Sequence, residues 1–159
     1  METIVERVMQ ILPNQKPVII AVSGMNGSGY EAEARKLQAE LVKQGLLVHF
    51  EEIHEEAVNI DSLNPARSWY DQSMPEKKVS VLVNQAKSHL EWDIVIASGP
   101  FLLKNTLHYL YDTAIWVERR DQGASKREEK ANAEWKSEAQ QIHEMVDEPK
   151  QKANLVISN

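Results

Sequence analysis

An apolar run, Pro17-Val18-Ile19-Ile20-Ala21-Val22-Ser23, passes directly into a loop with three glycines, Gly24-Met25-Asn26-Gly27-Ser28-Gly29, and this junction narrows the fold sharply. The run is apolar on both faces and rich in β-branched side chains, as a strand buried inside a parallel sheet must be. Glycines let the backbone turn so that several N–H groups point into one cavity. Residues 30–44 then read as a helix, with Ala34, Leu37, Leu41 and Val42 on the inward stripe and Gly45 suited to its C-terminal cap. Strand, glycine loop and helix in this order are the setting in which backbone N–H groups and a positive helix end hold a phosphate.

The rest of the chain repeats the alternation of helix and strand. Ile4, Val5, Val8, Ile11 and Leu12 have helical spacing over residues 2–12, and Pro13-Asn14 ends that helix. Leu46–Phe50 reads as a second strand that runs into the acidic segment Glu51-Glu52-Ile53-His54-Glu55-Glu56. Residues 57–75 read as irregular, and residues 76–90 as a helix striped by Val79, Leu82, Val83, Ala86 and Leu90. Asp93–Gly99 is a third buried strand, Leu102–Tyr111 a helical stretch and Thr113–Val117 a fourth strand. Residues 126–146 form a charged amphipathic helix with Ala131, Trp135, Ala139, Ile142 and Val146 in line, and Leu155–Ile157 is a last strand. The pattern predicts an α/β fold with a five-stranded parallel sheet and helices on both faces, in one domain spanning residues 1–159.

Composition removes several functions. With 159 residues there is room for one ordinary core, and 42% apolar and 26% charged residues make a globular balance. A net charge of −6 argues against a broad surface for nucleic acid or anionic membrane. The chain has no cysteine, which removes disulfides, thiolate metal sites and thiol nucleophiles. No stretch reaches the roughly 18–20 apolar residues of a membrane helix, and the first residues carry acids where a signal peptide has an apolar run. The expectation is a soluble cytoplasmic protein that binds neither nucleic acid nor membrane.

The loop fits the phosphate-binding pattern G-x-x-x-x-G-K-[ST] at both glycines and departs from it at the next two positions. Tyr30 stands where the lysine belongs, and Glu31 where the Ser or Thr belongs. The lysine neutralises the β- and γ-phosphates, and the hydroxyl helps to hold Mg²⁺. A positive charge is thus lost and a negative one gained. At about 4 Å each unit charge is worth roughly 4 kcal/mol at an effective dielectric near 20. Two such changes, even heavily screened, weaken triphosphate binding by orders of magnitude. Rescue requires Glu31 to ligate Mg²⁺ itself and another lysine to reach in.

With these residues in view, the chain resembles the uridine kinase-like branch of the P-loop nucleoside kinases. Val18–Leu37 resembles that family's first strand, P-loop and helix, and Asp93–Leu103 its third strand and following loop. Asp112–Glu118 resembles the strand before its lid, and Asp147-Glu148-Pro149 through Leu155-Val156-Ile157 its C-terminal segment. The resemblance implies a three-layer P-loop kinase-type fold with strand order 2-3-1-4-5. It also implies roles for particular residues. Gly24, Met25, Asn26, Gly27, Ser28, Gly29, Tyr30 and Glu31 occupy the phosphate-binding loop. Glu51 falls at the acidic position that serves the acceptor hydroxyl, Ser98 replaces the acid at the end of the third strand, and Arg119 and Arg120 begin a shortened lid. Arg67, Trp69 and Tyr70 lie where the family covers its acceptor, and are either ligand contacts or packing residues.

Other constellations are weaker. Glu51, Glu52, His54, Glu55 and Glu56 read either as a general base within an oxygen-rich site or as a solvated acidic loop. The five histidines lack zinc spacing and most of them read as surface or half-buried residues, so no metal site is expected. Trp92, Trp116 and Trp135 read as packing residues, and Ser23 and Ser28 have no matched His and Asp for hydrolase chemistry. Two functions stay open. The first is a catalytically impaired uridine kinase-like protein that binds a nucleotide or small phosphate-bearing ligand weakly, or acts as an interaction module. The second is an active kinase that uses ATP and Mg²⁺ on a nucleoside or other small hydroxylated acceptor.

Overall fold

A computed structural model of the chain describes residues 2–25, 27–53, 63–72, 75–89, 91–119 and 134–159. Strands β1 (Val18–Gly24), β2 (Val48–Glu52), β3 (Ile94–Ser98), β4 (Thr113–Glu118) and β5 (Leu155–Ser158) form one sheet. Its order is β2-β3-β1-β4-β5 and every pairing is parallel. β1 is the middle strand, and its residues Val18–Gly24 are all buried, which explains the continuous apolar run in the sequence.

Alternation along the strands divides the core into two halves. Val18, Ile20 and Val22 of β1, with Ile94, Ile96, Ile115 and Val117, face helix α1 (Glu2–Ile11) and helix α2 (Tyr30–Lys43). There they meet Ile4 and Val8 of α1 and Ala34, Leu37 and Leu41 of α2. Ile19, Ala21, Val95, Ala97, Ala114 and Trp116 face the other way, onto Leu102, Leu103 and Leu107 and onto Val79, Leu82, Val83 and Ala86 of helix α4 (Glu76–Ser88). Helix α3 (Pro65–Gln72) packs against helix α5 (Glu134–Asp147), and the single turn α6 (Pro149–Lys152) leads into β5. The result is three layers with the sheet in the middle.

Both ends of α2 depend on glycine. Gly29 precedes it at φ 83° and Gly45 follows it at φ 83°, where the Gly45 N–H reaches the Val42 carbonyl at 2.9 Å. The Leu46 N–H bonds the Leu41 carbonyl at 3.3 Å, which completes the cap.

The structure changes several sequence expectations. Val42 and Val146 are about half exposed, because each lies roughly 100° around its helix from a neighbouring inward residue. Residues 65–72, read as irregular, form α3, since Pro65 at a first helical position loses no hydrogen bond and Asn64-Pro65 starts a helix instead of ending one. The stretch 102–111 contains turns and one 3₁₀ turn (His108–Leu110) in place of a helix. Its leucines are buried as their spacing suggests, but the Asn105 N–H and side chain are taken by Asp147 Oδ1 and the Val146 carbonyl of α5. Glu51 and Glu52 belong to β2 and not to a loop, whereas His54, Glu55 and Glu56 lie outside the described residues. The same holds for Leu90 and for residues 126–133 of the expected long helix.

Candidate functional site

The glycine loop leaves the C-terminal end of the central strand, where ligands of open α/β sheets bind. Its path is fixed by backbone contacts. The Met25 N–H donates to the Val117 carbonyl at 3.0 Å, and a side chain at Gly24 would strike that same carbonyl. The Ser28 N–H closes a turn onto the Met25 carbonyl at 3.0 Å, with Gly27 at φ 71° inside it. The Glu33 N–H bonds the Gly29 carbonyl at 3.1 Å and opens α2. Asn159 Nδ2 donates to the Ser28 carbonyl at 2.9 Å. The Ser28 hydroxyl is buried in the curl of the loop, beside Gly24, without a hydrogen-bond partner. Asn26 lies outside the described residues.

Charge around the loop is distributed unusually. Tyr30 is half-buried against the α1–α2 side of the core, and Glu31 is exposed in the first turn of α2. A carboxylate there stabilises the positive helix end that would otherwise favour a bound anion. A cation nevertheless reaches the loop, from β4. A Cβ built on Gly27 would lie 2.7 Å from Arg119 Nη1, so the guanidinium rests directly over that glycine. Its neighbour Glu118 is engaged elsewhere, accepting from Lys150 Nζ at 3.0 Å and Ser158 Oγ at 2.9 Å, and these bonds hold its carboxyl below the usual range. Among the described residues Arg119 itself forms no salt bridge. Arg120 lies outside the described residues.

Ser98 ends β3, level with Val22 and Glu52, and its buried hydroxyl has no partner. Among the described residues no three His, Cys, Asp or Glu side chains converge as metal ligands. Relative to the hydroxyl-plus-acid donor set of a Mg²⁺-dependent P-loop the two groups have exchanged places, the carboxylate being Glu31 on α2 and the hydroxyl Ser98 on β3. Glu51 stands two strands away from the loop, about 14 Å from Gly24 by sheet geometry. It lines an open cavity of about 480 Å³ with Lys77, Lys78, Val81 and Leu82 of α4.

The acceptor-side candidates are engaged in packing. Trp69 and Tyr70 are buried with Phe101 and Ala139, while Arg67 is exposed and bonded to Asp71 at 3.2 Å. Tyr70 belongs to a buried polar joint with little signature in the sequence. Its hydroxyl donates to Asp147 Oδ2 at 2.5 Å, and His143 Nδ1 meets the same oxygen at 2.7 Å. The Asn105 N–H reaches Asp147 Oδ1 at 3.0 Å, and Lys104 Nζ donates to the Tyr70 carbonyl at 2.9 Å. Burial pushes the Asp147 carboxyl up, but the bonds from His143, Tyr70 and Asn105 bring it down to about 2. Burial raises the Tyr70 phenol, reinforced by Asp147, and lowers the Lys104 amine. Burial also lowers His143, against the pull of Asp147. A carboxylate can only accept, so His143 Nδ1 carries the proton and Nε2 is left buried without a partner. Full burial of His143 departs from the surface or half-buried position expected for most of the histidines. The only signal in the sequence was the helical i, i+4 spacing of His143 and Asp147.

No protein-family model and no curated protein sequence matches the chain. Solved structures do. A protein of Bacillus stearothermophilus described as a possible uridine kinase superposes with a TM-score of 0.67 at 15% identity, over 99% of this chain and 100% of the other. A protein of Silicibacter sp. TM1040 described as a candidate fructose transport system kinase superposes with a TM-score of 0.54 at 16% identity, over 96% of this chain and 97% of the other. At such identities the likeness concerns the path of the backbone. Strand order, the central glycine loop and these superpositions agree that the chain has the fold of the P-loop kinases.

Proposed function

We propose that the protein binds a nucleotide or other small phosphate-bearing ligand on its glycine loop and has lost phosphoryl transfer. The observation that carries this reading is the contrast within one loop. Gly27 and Gly29 keep positive φ and the loop opens onto the N-terminus of α2, yet the next two positions hold Tyr30 and Glu31. The backbone part of phosphate recognition is retained, and the side chains that serve a transferring γ-phosphate are replaced. Ser98 in place of an acid supports the same reading. The uridine kinase-like resemblance favours a nucleotide, bound weakly, and the absence of cysteine suits the cytoplasm. Weak binding also leaves room for a role as an interaction module.

A second reading, an active ATP-dependent kinase of a small hydroxylated acceptor, draws support from Glu51 in its cavity of about 480 Å³. Titration calorimetry with ATP·Mg²⁺, coupled to an assay of ADP formation, separates the two. The impaired reading expects no ADP formation and at best millimolar binding. Micromolar binding with steady ADP release would reverse the conclusion.

A further inference from the structure

We infer that Arg119 replaces the missing loop lysine and restricts the loop to a singly phosphorylated ligand bound without a divalent metal; this rests on the phosphate-binding reading above. A loop lysine arises inside the loop and extends along a triphosphate. Arg119 arises from the end of β4 and lies over Gly27, so its charge sits at one point of the curl. A guanidinium offers two parallel N–H donors to two oxygens of one phosphate, whereas an ammonium acts as a point charge. Glu118 is held by Lys150 and Ser158, which leaves the Arg119 charge directed at the loop.

Two further features of the loop fit one phosphate group. The Ser28 hydroxyl, with Ser28 only 3% exposed, has no partner and lies in the curl beside Gly24. The N-terminus of α2 is preceded by Gly29 in the left-handed region, which has no side chain to cap it, so the positive end of the helix faces the loop. Against these stands Glu31 in the first turn of the helix, one negative charge on the side where a triphosphate chain and its metal would extend. Glu33, the other acid of that turn, is paired with Lys36 at 3.2 Å, so among the described residues one guanidinium and a helix end stand against the single unpaired charge of Glu31 and leave at most a small positive excess. That excess matches a phosphomonoester and not a tetra-anionic triphosphate. Among the described residues no three metal-ligating side chains converge to neutralise the remainder.

The test is a titration of the full-length chain, followed by amide chemical shifts, with three probes: inorganic phosphate in EDTA, AMP in EDTA, and ATP with equimolar Mg²⁺. The expected result is a shift of the Gly27, Ser28 and Gly29 amides by phosphate and AMP, with no tighter binding of ATP·Mg²⁺. Arg119→Ala is expected to weaken AMP by about tenfold or more, and Arg119→Lys, which keeps the charge but loses the paired donors, to recover only part of that loss. Arg119→Gln, which keeps most of the side-chain volume, serves if the alanine variant does not fold. Unchanged or tighter AMP binding in the folded Ala or Gln variant overturns the role of Arg119 while leaving loop binding intact. Tighter binding of ATP·Mg²⁺ than of AMP overturns the metal-free class. No shift at the loop amides with any probe removes the phosphate-binding reading itself, and this inference with it.

Discussion

Residue by residue, the loop separates what glycine does from what charge does. Gly24, Gly27 and Gly29 set the path of the backbone, and their roles were legible because only glycine tolerates the close approach to β4 and the positive φ values found there. The departures at Tyr30 and Glu31 were equally legible, being a direct mismatch to a charge requirement. The approach of Arg119 was not. The sequence placed it at the start of a lid, and only the parallel pairing of β4 beside β1 brings its guanidinium over Gly27. If the loop retains its phosphate-binding curl, the double substitution Tyr30→Lys and Glu31→Ser restores a positive charge and removes a negative one. Its affinity for ATP·Mg²⁺, measured by calorimetry, should rise by about two orders of magnitude. A folded double variant that still ignores ATP would mean that the curl itself no longer accepts phosphate.

Among elements, the joint between α3 and α5 shows where local reading gave out. Helix α3 was hidden by its own first residue, because proline is read as a breaker unless its place at the helix start is known. The turn at 102–111 was hidden by leucines at helical spacing, although the Asn105 N–H and side chain among them bond to α5. Long-range polar partners have no signature in a local window. Asp147 anchors the joint by accepting from Tyr70, His143 and the Asn105 N–H. Tyr70→Phe keeps the ring against Phe101 and Ala139 but leaves the buried carboxylate one donor short. Urea unfolding should show a loss of about 1.5–3 kcal/mol. A loss below about 0.5 kcal/mol would show that the joint does not need this bond.

For the whole molecule, the sheet was legible because five apolar segments alternate with helices, and parallel strands buried on both faces leave an unmistakable pattern. The order of the strands came from the family resemblance, and the superpositions agree with it. Stability at this scale should depend on pH through the buried joint. His143 in the folded protein protonates below the ordinary value of 6.5, while the unfolded chain takes up its proton near that value. The unfolded state therefore binds more protons just below pH 6.5, and stability falls as the solution is acidified from 7 to 5. Asp147, depressed to about 2, contributes fully above pH 4, and its share is lost only as the pH falls towards 2. His143→Gln keeps a donor for Asp147 but cannot titrate, so its urea midpoint should change less between pH 7 and 5 than that of the parent. An identical slope in both proteins would assign the acid sensitivity elsewhere. One further consequence follows from Asn159, whose N–H bonds the Glu118 carbonyl at 2.9 Å while its side chain holds the Ser28 carbonyl at 2.9 Å. Fraying of the β5 edge is thereby coupled to slackening of the glycine loop, so that releasing Asn159 from β4 also frees the Ser28 carbonyl.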